Sequence, residues 1–389
     1  MASSFQTVLL LLAFLISGIA SAMMGKVQYG LESRGLVGKK AFTKPWFLTF
    51  NKLLGMFTVL IWVRLFRCCR CSKSGKHQEI QDQQKSVEDG NSSSSVSIRV
   101  EPSMTMKKLL LMAVPAFFDI LATALGAIGM LYIPVSVCQM LQGTSLVFIA
   151  AFSTYFLKQR LFAFNWLGML LCVLGVSTVG FASLMTEADK AGSEGHAARK
   201  THVLVGMSLT IGAQFVQAAQ VFAEEYLMKD LDVSSLDVVG YKGFWGVAQM
   251  IVIVFPILYF LPGDDVVSQE NTFDTLVMIH NSLPLLTAVL ADRFSCLVLN
   301  VTGMLIIKQF SAVHMMMIDA SRTTLVWIFD LSVYYAIDES SSLAECWTHW
   351  SVLQLIGFSI QLVGQAIYSQ VLRIPCLKYD QAVKEREEQ

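Results

Sequence analysis

Ten apolar runs of about 20 residues constrain the fold of this chain more than any other feature. An α-helix rises 1.5 Å per residue and the hydrocarbon core of a bilayer is about 30 Å thick, so each run can cross it. The 389 residues are 54% hydrophobic and 15% charged, which excludes disorder and an ordinary soluble protein. We predict an all-α, polytopic membrane protein with ten transmembrane helices. The predicted spans are Phe5 to Met24, Pro45 to Phe66, Leu109 to Ile133, Val135 to Phe156, Phe164 to Leu184, Val203 to Leu227, Val238 to Leu261, Leu285 to Ile307, Ala312 to Tyr335 and Val352 to Leu372.

The distribution of Lys and Arg predicts the orientation of these spans. The side that holds both termini carries 17 Lys and Arg residues in its loops, tails and helix ends, and the other side carries 8. Because positive residues favour the cytosolic side, we expect both termini in the cytosol. The first run could instead be a cleaved signal peptide, since Ala20-Ser21-Ala22 fits a cleavage site. No Lys or Arg precedes it, however, and this favours a retained helix.

The segments outside the spans are mostly too short to fold independently. Residues 68–105 are predicted to be a flexible cytosolic insert, because Gln78 to Ser95 is acidic and polar with few apolar side chains to bury. Residues 373–389 are predicted to be a cytosolic tail. Cys68, Cys69 and Cys71 lie beside arginines at a cytosolic helix end, a setting that fits either S-palmitoylation or reduced free thiols.

The charge balance and the missing motifs exclude several classes of function. Lys+Arg and Asp+Glu both number 29, and no basic patch is interleaved with aromatic residues, which excludes nucleic acid as a partner. No zinc-protease, nucleophile-elbow or phosphate-loop motif occurs, so the sequence predicts no enzyme, metal or cofactor. The expected partners are the lipid bilayer and a small-molecule solute.

Two glycine patterns repeat between the halves of the chain. Gly168-x6-Gly175 in the fifth run matches Gly357-x6-Gly364 in the tenth, and a Gly-Met-Leu triplet at Gly129 recurs at Gly303. Residues 1–185 and 186–372 would then be two five-helix repeats. Because five is odd, the second must be inverted in the membrane, which is typical of transporters. Alternatively, the glycines merely let helices pack closely. The fifth and tenth runs are otherwise apolar, so we expect them at the periphery, as packing helices or as a homodimer surface.

Five charged residues lie well inside the predicted spans: Asp119, Asp292, Arg293, Asp319 and Arg322. A charge that faced lipid at the bilayer centre would cost roughly 2.5–3.5 kcal/mol on insertion scales. These side chains must therefore face protein or water. The sequence predicts a polar cavity among the third, eighth and ninth spans.

A candidate solute site follows from combining these charges with the repeat. Gln139 and Gln142 of the fourth span precede Asp319 and Arg322 of the ninth by 180 residues, so they take matching places in the two halves. Gln217 belongs to a polar stripe on the sixth span. The predicted site residues are Gln139, Gln142, Gln217, Asp319 and Arg322, with Asp119 and Asp292 beside them.

Arg322 admits two interpretations. It either forms a structural ion pair with Asp319, or offers a fixed cation to an anionic or zwitterionic solute. In the second case Asp119 or Asp292 is a protonatable group that couples transport to a pH gradient.

Other polar residues are assigned to helix ends. Glu224 and Glu225 are predicted to be a solvated end of the sixth span. Lys52, Tyr241 and Lys242 are predicted to snorkel toward the interface.

An ordered set of motifs resembles the drug/metabolite transporter superfamily, which includes the EamA-like proteins. The set begins with Ser136-x2-Gln139-Met140-Leu141-Gln142-Gly143 and Phe148, and continues with Lys158-Gln159-Arg160-Leu161 and Trp166-Leu167-Gly168. Glu224-Glu225 and Asp319-x2-Arg322-Thr323 with Trp327 also match. The resemblance is strongest to the F-type branch of solute carrier family 35, which is similar to the chloroquine-resistance-transporter group.

This resemblance implies two inverted five-helix repeats, with spans 1–4 and 6–9 around a central cavity, in an endomembrane such as that of the lysosome, vacuole or Golgi. Gln142 departs from the Arg that relatives often have there, which makes the cavity less positive. A Gly-x4-Asn-Lys pattern associated with nucleotide-sugar carriers is absent. We therefore expect a secondary-type carrier of a small organic solute that works by alternating access. The competing expectation is a non-transporting membrane assembly or regulatory protein that retains the fold.

Overall fold

The computed structural model describes residues 2–36, 38–85, 106–130, 132–133, 138, 141–156, 162–191, 200–231, 233–260, 270–336 and 347–372. Its helices are α1 (Ala2–Gly30), α2 (Pro45–Lys85), α3 (Met106–Leu111), α4 (Ala113–Met130), α5 (Thr144–Tyr155), α6 (Ala163–Ala191), α7 (Lys200–Lys229), α8 (Ser235–Gln249), α9 (Phe255–Phe260), α10 (Thr272–Asn281), α11 (Leu283–Gln309), α12 (Ala312–Ala336) and α13 (Ser351–Tyr368). A π turn at Met250–Val254 joins α8 to α9 just before Pro256. Two short antiparallel strands, β1 (Glu32–Arg34) and β2 (Lys39–Ala41), form a hairpin between α1 and α2 in a structure that is otherwise helical, as the all-α prediction requires.

Among the described residues, eight helical segments are long and apolar enough to cross a membrane. They are Phe5–Gly30, Pro45–Leu65, Met106–Met130, Ala163–Thr186, Leu204–Lys229, Ser235–Phe260, Leu283–Gln309 and Ser351–Tyr368. The protein is therefore a multi-pass membrane protein, as its apolar runs predicted. In the part of the chain that the structure describes, the fourth and ninth predicted spans do not contain a helix that is both long enough and apolar enough. Helix α5, in the fourth, has only 12 residues, and α12, in the ninth, has 25 residues but carries Asp319, Arg322 and Asp330.

Several predictions fall on the loops and tails. Helix α2 continues to Lys85, so the first part of the predicted insert is helical. Residues 86–105, 192–199 and 373–389 lie outside the described residues, as do the side chains of Cys68, Cys69 and Cys71.

Four antiparallel helix pairs form the largest interfaces: α1 with α11, α2 with α8, α4 with α7, and α6 with α13. In the last pair, Gly168 lies against Gly364, and Gly175 lies against Gly357. A Cβ on Gly175 would sit only 2.6 Å from the Gly357 carbonyl oxygen. The repeated glycines thus permit close packing within one chain. Their faces cover each other, so they offer no support for the predicted homodimer.

A clasp of polar contacts closes one end of the bundle, which we call the hairpin face because it carries β1, β2 and α10. The buried Asp274 carboxylate accepts hydrogen bonds from Lys40 at 2.8 Å, from Lys44 at 3.1 Å and from the Leu36 N–H at 2.7 Å. Burial alone would raise the pKa of Asp274, but these bonds outweigh it and hold the pKa below its ordinary value of 3.8. Glu270 accepts from the first amide groups of α2, Trp46 and Phe47, and so caps that helix.

The main hydrophobic core lies largely toward the other end of the bundle, the opposite face. Its buried members include Leu227 at the end of α7, Val238 at the start of α8, and Ile307 and Val313 around the turn between α11 and α12. A smaller cluster packs at the hairpin face and comprises Phe42, Phe47, Met278, Leu285 and Val289.

Candidate functional site

Four charged side chains from four helices meet in the interior of the bundle. Lys242 Nζ lies 2.7 Å from Glu224 Oε1 and 3.3 Å from Asp119 Oδ2. Lys52 Nζ donates to both oxygens of Asp119, at 3.1 and 3.2 Å. Gln220 also donates to Glu224 Oε1, at 3.1 Å. We call Lys52, Asp119, Glu224 and Lys242 the tetrad; its two cations and two anions balance.

The helices bring the two lysines to Asp119 from opposite faces. Lys52 is the eighth residue of α2, which begins at Pro45, and Lys242 is the eighth residue of α8, which begins at Ser235. Because α2 and α8 are antiparallel, one ammonium group approaches from the hairpin face and the other from the opposite face. Asp119 itself is the fourteenth residue of the 25-residue span Met106–Met130, close to mid-membrane.

A glycine stripe on α8 allows this approach. Gly240, Gly243 and Gly246 lie at successive turns against α2, and a Cβ on Gly240 would lie 3.0 Å from the backbone of Leu60. Without side chains at these positions, the helices come close enough for both lysines to share one carboxylate.

The burial of the tetrad corrects the predictions for helix ends. Glu224 and Glu225 are 1% and 0% exposed, so neither is part of a solvated end. Lys242 and Tyr241 are buried rather than snorkelling; Tyr241 accepts a hydrogen bond from Arg64. The signal that could have found the tetrad is the i, i+4 spacing of Gln220 and Glu224, which extends the polar stripe to the helix end.

Glu225 has a separate task at the opposite face. Its Oε1 lies 2.7 Å from Lys229 Nζ, and its Oε2 accepts the Ala312 N–H at 3.3 Å. A carboxylate at a helix N-terminus is favourable because the amide groups there have no partner within the helix. Glu225 thus links α7 to the start of α12.

Asp292 and Arg293 of α11 point to different neighbours. Asp292 is buried and accepts from Ser21 Oγ of α1 at 3.1 Å. Arg293 Nε donates to Asn51 Oδ1 of α2 at 2.7 Å. The two adjacent charges therefore tie α11 to two different helices of the first half.

Asp319 and Arg322 form the ion pair that their spacing predicts. Arg322 Nε lies 3.1 Å from Asp319 Oδ1, and both side chains are partly exposed, at 25% and 35%. The Arg322 side chain passes over Gly18 of α1, where a Cβ would overlap it. One helical face of α12 thus faces α1, and Lys26 of α1 pairs with Asp330 further along at 2.5 Å.

The predicted site residues do not converge on a single point. Asp119 belongs to the tetrad, Asp292 faces α1, and Asp319 pairs with Arg322. Gln142 and Gln217 are exposed. Gln139 lies outside the described residues.

Comparison with known proteins shows which transporters the chain is similar to. The nucleotide-sugar transporter family model matches residues 51–240. Solute carrier family 35 member F6 of Homo sapiens is 27% identical over 366 residues, covering 92% of this chain and 87% of that protein. The chain is similar over most of its length to the F-type members of solute carrier family 35. The Rattus norvegicus member F6 is 27% identical over 372 residues, covering 93% of this chain and 89% of that protein.

These similarities confirm the resemblance read from the sequence motifs, and they support a membrane transporter. An uncharacterised protein of Schizosaccharomyces pombe is 27% identical over 275 residues, which is 70% of this chain and 78% of that protein. A crystal structure of a protein with 13% sequence identity aligns with a TM-score of 0.52, over 93% of this chain and 96% of the other. At that identity the structural match supports the fold alone.

Proposed function

We propose that this protein is a secondary-type carrier that moves a small organic solute across an endomembrane by alternating access. The observation that carries the proposal is the tetrad. Lys52 and Asp119 come from the first half of the chain, and Glu224 and Lys242 from the second. Removing one partner from a buried ion pair costs about 3–5 kcal/mol, so such groups are kept together unless a new partner replaces the old one. A shared charge cluster between two halves that rock can exchange partners as they move.

The two halves are proposed to be inverted five-helix repeats within a ten-span fold. Helix pairing supports this arrangement. In an inverted repeat, the pairs α1–α11 and α4–α7 are equivalent to each other, whereas α2–α8 and α6–α13 each map onto themselves. These are the four largest interfaces, and all are antiparallel. The equal positions of Lys52 and Lys242 within α2 and α8 agree with the same symmetry.

The proposed coupling ion is the proton, with Asp119 as the group that binds it. Asp119 lies near mid-membrane and holds two lysines with one carboxylate. Protonation would remove the charge that attracts both ammonium groups, and would release Lys52 while Lys242 keeps Glu224. Such a change would favour separation of α2 from α4 and thereby bias one conformation over the other.

Purified full-length protein in liposomes with an imposed pH gradient tests the proposal. The solute panel contains radiolabelled amino acids, dicarboxylates, nucleosides and nucleotide sugars. We expect uptake of at least one class above empty liposomes, and a loss of at least about tenfold, equivalent to ~1.4 kcal/mol, in Asp119→Asn. Glu32→Gln removes a carboxylate whose Lys39 pair is exposed, and serves as the matched control.

The competing function is that of a membrane assembly or regulatory protein, in which these charges only hold helices together. If no solute moves in folded wild-type protein, and Arg322→Ala and Asp119→Asn change nothing except the melting temperature, the carrier proposal is wrong and this alternative replaces it.

A further inference from the structure

Arg293 lies deep in the membrane-spanning region. It is the eleventh residue of α11, which begins at Leu283, so it stands about 15 Å along the helix axis from that end. The hydrocarbon core is about 30 Å thick, which puts this guanidinium-bearing residue near its middle. A cation at that depth requires a partner or a polar environment.

The side chain is held in place by a neutral group. Arg293 Nε donates to Asn51 Oδ1 at 2.7 Å, and Asn51 Nδ2 donates in turn to the Val289 carbonyl oxygen at 3.0 Å. Asn51 is 0% exposed, so its amide is fixed. Gly55, one turn further along α2, leaves room for the Arg293 stem. The guanidinium is therefore oriented before any ligand arrives.

No carboxylate neutralises Arg293 within the part of the chain that the structure describes. Lys52 and Lys242 share Asp119 and Glu224, Arg322 pairs with Asp319, and Lys26 pairs with Asp330. Asp292 is adjacent in sequence, but successive residues on a helix are about 100° apart, and its carboxylate faces Ser21 of α1. The two terminal amino groups of Arg293 have no hydrogen-bond acceptor among the described residues, and the side chain is only partly buried.

Arg293 lies on a side of α11 that faces the bundle in the turns that follow it. Leu297 and Met304, one and three turns further along the same side of α11, pack in or against the main core. Phe294, which follows Arg293, is 67% exposed and marks the outward side of the helix. The side of α11 that carries Arg293 therefore packs against the core over the turns that follow it.

We propose that Arg293, oriented by Asn51, is an oxyanion-binding residue that takes a carboxylate or phosphate group of the transported solute. The guanidinium fork matches either group with two parallel N–H···O bonds. This inference rests on the carrier function, but it assigns recognition to Arg293 rather than to Arg322, whose charge Asp319 already balances.

Thermal unfolding of the purified full-length protein tests the site without requiring transport. The probes are inorganic phosphate and succinate, each titrated against sodium chloride at equal ionic strength. We expect a saturable rise of the melting temperature with at least one probe, and the probe that acts identifies the anion. Arg293→Gln should weaken the apparent affinity about tenfold or more, since a charge-assisted hydrogen bond contributes about 1.5–3 kcal/mol.

Arg34→Gln is the matched control, because it removes the same charge from an exposed position on β1 and should bind as the wild type does. Arg293→Lys keeps the charge but loses the fork; it should also bind more weakly, and it serves if Arg293→Gln does not fold. The inference is wrong if wild-type protein is no more stable in either probe than in chloride, or if both Arg293 variants bind normally. If anion binding fails in this way but wild-type protein still takes up solute in liposomes, the carrier function stands and only the role of Arg293 is wrong. The two proposals can therefore fail separately.

Discussion

Lys242 is the residue on which the balance of the tetrad depends. Its ammonium group bonds Glu224 and Asp119 at once, and its side chain is only 3% exposed. Without it, two carboxylates would remain buried with only Lys52 to neutralise them. Breaking a buried ion pair from one side is more damaging than removing both partners, because the remaining charge stays desolvated.

We therefore predict that Lys242→Met lowers the free energy of unfolding by about 3–5 kcal/mol. Adding Glu224→Gln to this variant should recover part of the loss, since it removes the stranded carboxylate charge. The melting temperature in detergent is measured for Lys242→Met, Glu224→Gln and the double variant. The three values together give the interaction free energy between Lys242 and Glu224. Lys39→Met breaks only the exposed pair with Glu32 and should shift the melting temperature little. Equal melting temperatures for Lys242→Met and Lys39→Met would contradict the role of the tetrad.

Individual residues show where the sequence was informative. Asp119 is a charge inside an apolar run, and this alone predicts that it needs a partner. The identity of the partners was not predictable, because Lys52 and Lys242 each lie only eight residues into a helix, where snorkelling is the ordinary expectation. Their shared contact with Asp119, and the burial of Lys242, follow from the approach of α2 and α8, which is a tertiary property that no local pattern reports.

At the scale of helices, the α6–α13 pair depends on the absence of side chains along its seam. A Cβ on Gly175 would lie 2.6 Å from the Gly357 carbonyl oxygen and 2.7 Å from the Gln361 backbone nitrogen. Backbone cannot move aside as a flexible side chain can, so the helices would have to separate. Overpacking of this kind typically costs about 1–3 kcal/mol.

We predict that Gly175→Ala lowers the melting temperature and increases proteolysis near the α6–α13 pair. Gly212→Ala is the matched control, because Gly212 is also helical but has no atom within 4 Å of its added Cβ. Alanine there should be neutral or stabilising by up to about 1 kcal/mol, since alanine is the better helix former. If the two variants melt alike, the glycine seam is not what holds these helices together.

Helix prediction succeeded even where polar residues interrupt the apolar run, since the ninth predicted span, Ala312 to Tyr335, is the helix Ala312–Ala336. The eight confirmed segments are helices with long, continuous apolar stretches. Helix α12 has no such apolar stretch, because Asp319, Arg322 and Asp330 lower its hydropathy. Two of these charged residues, Asp319 and Arg322, are also the reason why the predicted site was centred on this helix. Strands β1 and β2 have three residues each, too few for an alternating pattern to be detected in the sequence.

At the scale of the molecule, the two halves meet through charge as well as apolar packing. The tetrad joins them near mid-membrane, Glu225 links α7 to α12 at the opposite face, and Glu270 and Asp274 link the hairpin and α2 to the segment before α11. Polar connections thus occur at both ends and in the middle. An alternating-access cycle would have to break the polar connections at one end of the bundle while those at the other end and in the middle stay intact. Which end opens to which compartment depends on the orientation of the hairpin face.

We predict that the hairpin face is lumenal and that both termini are cytosolic. The 17 Lys and Arg residues on the terminal side, against 8 on the other, would otherwise have to be translocated. An epitope after Gln389 should stain when only the plasma membrane is permeabilised, whereas an epitope inserted between Ala191 and Lys200 should stain only after the organelle membrane is opened. Asn91 provides an independent check, since its sequon lies on the cytosolic side in this orientation and should carry no glycan. Staining in the reverse order, or a glycan at Asn91, would place the hairpin face in the cytosol and contradict the predicted orientation.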